Sequence, residues 1–261
     1  MSRPSAPTHA EHCGVQAASL PLAFEHMPKC GGSSITAFLR SRYPADRTLT
    51  TPGRNHELLL DFSKRPEAER HAVLLTVGHG AGDVFPLLRA DTIRVTCFRE
   101  PVQRILSYYR YVAREPFHPL HATVCSQRLG LDEFLESVPT RETRNYFVQR
   151  LSNLPIDRIE ADPRSAARVA LERLAHDFDI AGSLERLDDF AEAVARRARL
   201  LVMDGVLPRL NSAEEPADIS ALDHGTRQRI EGMNEADILF FEALQAQVGR
   251  RLIDGCRCEV V

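Results

Sequence analysis

Apolar residues in the first half of the chain fall into short buried-type runs that alternate with runs of helical spacing. Leu22 to Met27, bounded by Pro21 and Pro28, has the pattern of a buried strand; Ser33 to Arg42 follows with Ile35, Phe38 and Leu39 on one helical face. A second strand is predicted over Ala72 to Val77, running into Gly78-His79-Gly80. A third is predicted over Thr92 to Phe98, running into Arg99-Glu100-Pro101. Pro101 suits the first turn of a helix, and Ile105, Tyr108, Tyr109 and Val112 extend its apolar face to about Ala113. Later spacing is helical over Leu131 to Glu136, Glu142 to Leu151, Arg164 to His176, Leu187 to Val202, Leu222 to Glu231 and Glu235 to Leu252. Phe178 to Ala181 offers one further strand.

Strands alternating with helices imply an α/β fold, a mainly parallel sheet flanked by helices with a helical C-terminal half. Such sheets bind ligands beyond the carboxyl ends of their strands. The polar residues that follow the three strands are therefore the candidate site. Residues 1–21, rich in Ser, Pro, Ala and His without periodicity, read as a flexible leader, and 22–261 as a single domain with no internal repeat.

Composition narrows this little. A chain of 261 residues, 43% hydrophobic, is long enough to bury a core, and a formal charge of -3 gives no global attraction to nucleic acid or anionic lipid. Any anion site must be built locally, and nucleic acid is not an expected partner. No run approaches the roughly 18 apolar residues of a membrane span, and no signal segment precedes the first strand, so no membrane span and a cytoplasmic location are expected. The six cysteines lack zinc-type spacing, Cys256 and Cys258 included, and reduced thiols are expected. Lysine occurs only at Lys29 and Lys64 among 33 basic residues, and Lys29 lies in the most informative segment.

That segment is Pro28-Lys29-Cys30-Gly31-Gly32-Ser33-Ser34, between a strand and a helix start. Gly31 and Gly32 let the backbone turn its amides toward an anion, the helix N-terminus adds its positive end, Ser33 and Ser34 add hydroxyls and Lys29 a mobile charge. A glycine turn capped by Ser33 or Ser34 is the structural alternative. The order of residues departs from GxxxxGK[ST], because Lys29 precedes both glycines, and no strand ends in an Asp placed for magnesium. A metal-dependent triphosphatase or kinase is thus disfavoured and no metal is expected. Arg99, directly after a strand, can clamp a second phosphate with its guanidinium fork. Ser107, about two turns into the next helix on the side of Arg104 and Tyr111, can add a neutral donor. Taken singly, Ser107 reads as a helix-face hydroxyl and Arg104 and Arg110 as solvated. The two elements together suit a ligand with two separated phosphates.

Phe24 to Ser34 resembles the HIPKTGGTS loop of the PAPS-dependent sulfotransferases of the carbohydrate type, relatives of the heparan and dermatan 2-O-sulfotransferases. Phe98-Arg99-Glu100-Pro101-Val102-Gln103-Arg104-Ile105-Leu106-Ser107-Tyr108-Tyr109 is similar to that family's FRDPVERxxSxYY element. Gly78-His79-Gly80 resembles its GH, and Asn145 through Leu151 loosely its NxQTRxL helix. The departures are Cys30 for Thr, Glu100 for Asp, and Arg150 one place later than the family's Arg. The resemblance, over roughly Phe24 to Asn211, implies a P-loop-like sulfotransferase fold and PAPS (3′-phosphoadenosine 5′-phosphosulfate) as donor. Lys29, Cys30, Gly31, Gly32, Ser33 and Ser34 would hold its 5′-phosphosulfate, and Arg99 and Ser107 its 3′-phosphate. It further implies a hydroxyl acceptor on a sugar or glycan, with Lys29 serving the leaving oxygen and His79 taking the acceptor's proton. Without the resemblance His79 reads equally as a structural histidine, and His26 as a packed strand residue. His56 and Glu57 lie in a polar region that can line the acceptor side. Arg209, Asn211 and Ser212 read either as the family's loop that closes over the nucleotide or as an ordinary polar loop. Sulfation of a small natural product or lipid head group, a nucleotide-binding module without turnover, and a metal-dependent nucleotide kinase-like protein are the competing readings.

Overall fold

The computed structural model describes residues 19–53, 56–138, 140–200, 222–253 and 255–261, with the side chain of His56 left out. Arg209, Asn211, Ser212 and all but the last residues of the expected leader lie outside this set. The strands are β1 (Leu22–Glu25), β2 (Thr48–Pro52), β3 (Leu75–His79), β4 (Ile93–Phe98), β5 (Ile180–Ser183) and β6 (Glu259–Val260). They form one six-stranded sheet in the order β2-β3-β1-β4-β5-β6, and every strand pair is parallel.

The helices in chain order are α1 (Gly32–Arg40), α2 (His56–Lys64), α3 (Glu67–His71), α4 (Pro101–Arg114), α5 (His121–Gln127) and α6 (Leu131–Ser137). They continue as α7 (Tyr146–Ser152), α8 (Ile156–Ala161), α9 (Pro163–Asp177), α10 (Leu187–Ala198), α11 (His224–Met233) and α12 (Glu235–Gln245). No helix among the described residues is long and apolar enough to cross a membrane.

Parallel strands bury both faces, so their side chains alternate between two cores. Leu22 and Phe24 of β1 join Leu75, Val77, Val95 and Cys97 in one core, closed by Ile35 and Leu39 of α1 and Phe190 and Val194 of α10. Ala23 faces the other way, into a core with Phe98, Phe147 of α7, Leu174 of α9 and Phe240 of α12. A third cluster joins Ile105, Tyr108 and Val112 of α4 to Phe134 of α6 and Ile230 of α11. The chain therefore leaves β1 toward one face of the sheet and leaves β4 toward the other. In an open parallel sheet the crevice between two such strands, beyond their carboxyl ends, is where ligands bind.

The boundaries depart from the sequence pattern at identifiable places. β1 stops at Glu25, two residues before Met27. β3 begins at Leu75 and ends on His79, because α3 is closed by Ala72, whose N–H bonds the Ala68 and Glu69 carbonyls. The helix expected over Glu142 to Leu151 is broken: Arg141–Thr143 forms a 3-10 turn, Asn145 is left-handed at φ 46°, and α7 starts at Tyr146. α10 ends at Ala198, where Arg199 turns left-handed (φ 56°), and α12 ends at Gln245. β5 lies two residues later than Phe178 to Ala181. Both edge strands escaped the hydrophobic pattern. β2 is Thr-rich and half exposed, with Pro52 at its end, as an edge permits, and β6 is two residues long.

Asn145 explains the broken helix. Its Oδ1 accepts from the N–H groups of Ala236 (3.0 Å) and Asp237 (3.2 Å) at the start of α12. The Asp237 carboxylate in turn accepts from Phe147 (3.0 Å) and Val148 (2.9 Å) at the start of α7. Each helix thus carries the cap of the other. Burial raises the Asp237 pKa to about 6, with Arg104 and the α7 amides opposing.

Candidate functional site

The segment after β1 is a compact turn. Lys29 (φ 65°) and Gly31 (φ 77°) are both left-handed, a conformation that costs a non-glycine residue about 1 kcal/mol or more and is seldom kept without a use. Gly31 is the N-cap of α1 and, as a glycine, brings no side-chain cap of its own. Ser34 N and Ile35 N donate to the Gly31 carbonyl at 3.1 and 3.3 Å, and the positive end of the helix dipole lies at this turn. Gly32 is needed sterically, since a Cβ there would lie 1.8 Å from Cδ2 of His26. Ser33 is exposed beside these amides, whereas Ser34 is buried.

Cys30 corrects one sequence expectation. Its thiol is 1% exposed, packs in the core with Met27 and Phe98, and donates to the Pro28 carbonyl at 3.4 Å. Burial pushes it up to about 12, so it stays a neutral thiol, and Cys30 can meet a ligand only through its backbone.

The ammonium of Lys29 sits 4.1 Å from the ring centroid of Tyr111, a cation–π contact that joins the turn after β1 to α4. Burial, followed by the charges of Arg114 and Arg99, lowers its pKa to about 8. Lys29, after β1, thus feels the charges of Arg99, after β4, and of Arg114 at the end of α4. Arg99 is partly buried. One guanidinium nitrogen donates to Gln103 Oε1 (3.3 Å), and its buried Nε meets no acceptor among the described residues. Burial lowers its pKa, with Cys30, Glu185 and Glu100 opposing, but a guanidinium remains charged at neutral pH. Ser107 is half buried on α4, one turn before Tyr111.

Glu100 does not face this cluster. It caps α4, accepting from Val102 (3.0 Å) and Gln103 (2.7 Å), with Pro101 in the first turn. Arg104 corrects a second expectation. It is fully buried, donates to the Glu142 carbonyl at 2.6 Å, and lies over the rings of Tyr146 and Phe147. It is a packing and hydrogen-bonding residue, not a solvated one.

His26 and His79 form the other wall. They are neighbours across β1 and β3, and their rings stack with centroids 4.2 Å apart. His79 Nδ1 lies 2.6 Å from the His26 backbone oxygen. A carbonyl only accepts, so His79 Nδ1 carries the proton and the neutral ring keeps its lone pair on Nε2. Burial, then His79 and Lys29, pull His26 down to about 3, which keeps it uncharged in its packed position.

The His79 turn is fixed from below. The carboxylate of Glu25, 2% exposed, accepts from Gly82 N (2.6 Å) and Gly80 N (3.3 Å). Arg150 holds Glu25 at 2.7 Å and Asp83 at 2.9 Å, and its own pKa is raised by these partners despite burial. Arg150 is accordingly a support for the site and not a wall of it.

Glu57 is exposed on α2. Two contributors were missed from the sequence, Arg114 and His118, because neither falls inside a strand-end motif. For Arg114 the only signal is the helical register that carries the Ser107 and Tyr111 side of α4 to its last turn; His118 lies past that helix, in the turn before α5, and has none.

No family model matches the chain, and no curated protein matches it.

Proposed function

We propose that the chain is a PAPS-dependent sulfotransferase that transfers a sulfuryl group to a hydroxyl of a sugar or glycan, on a P-loop-like sulfotransferase fold. The observation that carries this reading is the contact of Lys29, after β1, with Tyr111 of α4, the helix that directly follows Arg99, beside the start of α1. The donor has two separated anionic groups. The glycine turn, Ser33 and Lys29 suit the 5′-phosphosulfate; Arg99, with its unpartnered buried Nε, and Ser107 suit the 3′-phosphate.

The reaction is an in-line displacement. The acceptor oxygen attacks sulfur, the bond from sulfur to the bridging phosphate oxygen breaks, and its electron pair leaves with adenosine 3′,5′-bisphosphate. The acceptor proton passes to His79 Nε2, the nitrogen that the His26 carbonyl leaves unprotonated. Lys29 compensates charge growing on the leaving oxygen, and the α1 amides on the non-bridging oxygens. Packing of His26 against Gly32 sets the distance between the turn and His79.

Labelled PAPS offered with pools of sugar, glycan, lipid and small-molecule acceptors tests this. Label in a sugar or glycan product is expected. Transfer confined to another pool would overturn the acceptor class, and no transfer from PAPS alongside γ-phosphate transfer from ATP with magnesium would overturn the reaction.

A further inference from the structure

We infer that His118 is a fixed, neutral hydrogen-bond donor, through Nε2–H, to an oxyanion held at the Lys29 cluster. The inference rests on the anion-site reading above, though not on which nucleotide carries the anion.

His118 lies in the turn between α4 and α5, between Pro116 and Pro119. The turn is pinned by its own backbone: His118 N donates to Glu115 O (3.0 Å) and His121 N to His118 O (2.9 Å). The backbone N–H of Leu120 donates to His118 Nδ1 at 3.2 Å. An amide N–H cannot accept, so Nδ1 holds the lone pair and the proton of the neutral ring is on Nε2. His79 is held in the opposite tautomer by the His26 carbonyl. The site therefore presents one imidazole that accepts and one that donates.

Tyr111 joins His118 to the cluster. The His118 ring meets the Tyr111 ring edge-on, centroids 5.5 Å apart at 81°, and that same Tyr111 ring carries Lys29 Nζ at 4.1 Å. Tyr108 flanks His118 on the same helix at 5.8 Å. The titratable groups around it are Tyr108 and Tyr111 of α4, Glu115 of its own turn, His121 of α5 and Lys29. Burial lowers the His118 pKa, His121 and Lys29 lower it further, and Glu115 opposes. Protonation would also set an Nδ1–H against the Leu120 N–H. The ring stays neutral and its donor stays in place, adding a hydrogen bond to the anion without adding to the repulsion among Lys29, Arg99 and Arg114.

The test is nitrogen-15 NMR of the histidines in the full chain, titrated with inorganic sulfate and separately with adenosine 3′,5′-bisphosphate. The expected free protein shows His118 as the Nε2–H tautomer at pH 7, and sulfate moves that nitrogen in wild type but not in Lys29→Met. His118→Ala should weaken sulfate binding about tenfold to a hundredfold, the loss of one hydrogen bond to a charged group, and His118→Gln should recover most of it. An Nδ1–H tautomer, a charged ring at pH 7, absence of any sulfate response, or a Lys29-dependent response that leaves His118 unmoved would each overturn the inference. A His118 response to sulfate without binding of the bisphosphate would uphold it and defeat the sulfotransferase reading instead.

Discussion

Glu25 and Arg150 stand 125 residues apart in the chain and meet in a buried ion pair at 2.7 Å, with side-chain exposures of 2% and 7%. The pair joins the end of β1 to α7 and, through Gly80 and Gly82, holds the turn that carries His79. Removing one partner leaves a buried charge, so Arg150→Met should cost about 3–5 kcal/mol in urea unfolding. Glu25→Met in the same chain should return part of that loss. A single-variant cost below about 1 kcal/mol would show that the pair does not hold the turn.

Gly32→Ala places a methyl where His26 now lies, 1.8 Å from Cδ2, and must expel that ring. A lower melting temperature and weaker binding of adenosine 3′,5′-bisphosphate are expected together. Gly232→Ala is the control, since a Cβ there meets nothing within 4 Å; in the exposed last turn of α11 it should be neutral or stabilise by up to about 0.5 kcal/mol. Equal behaviour of the two variants would contradict the packing role of Gly32.

The lowered pKa of Lys29 fixes a pH dependence. Anion binding favours the ammonium, and the free protein keeps that proton only below about pH 8. Above this, binding must take up a proton, so affinity for the bisphosphate should be level near pH 7 and fall toward tenfold per unit beyond pH 8. The ligand phosphates, with a second pKa of about 6, do not titrate in this window. Calorimetric titrations from pH 7 to 9.5 in wild type and Lys29→Met check it; a fall of equal steepness in the variant would remove Lys29 as its source.

His79→Ala should keep bisphosphate affinity within about twofold and lower turnover by about 10²–10⁴, the usual contribution of a positioned base. His79→Gln should not rescue the rate, because an amide has no basic nitrogen. Turnover retained in either variant would pass the proton to another group.

The strand-turn-helix at Lys29 and the strand-turn-helix at Arg99 were legible because their strands are buried on both faces and end in glycine or proline. That alternation also gave the parallel sheet. β2 and β6 were not legible, since edge strands need little apolar surface. The break before α7 was hidden because its cause is tertiary: Asn145 turns out of the helix to cap α12, 91 residues away at Ala236. Arg104 looked like a surface arginine, as nothing local announces the Glu142 carbonyl and the two rings that receive it. Cys30, similarly, sits among loop residues that face the crevice, yet its side chain turns into the core. His118 enters the site only through its contact with Tyr111, which no spacing rule within the chain encodes.

Calorimetric titration of the full chain with adenosine 3′,5′-bisphosphate, set against ATP with magnesium, tests the central claim most directly. Magnesium-independent binding of the bisphosphate, weakened at least tenfold by Arg99→Ala and preferred over ATP with magnesium, is the predicted result. Preference for ATP with magnesium, or a bisphosphate affinity unchanged in Arg99→Ala, would contradict the account.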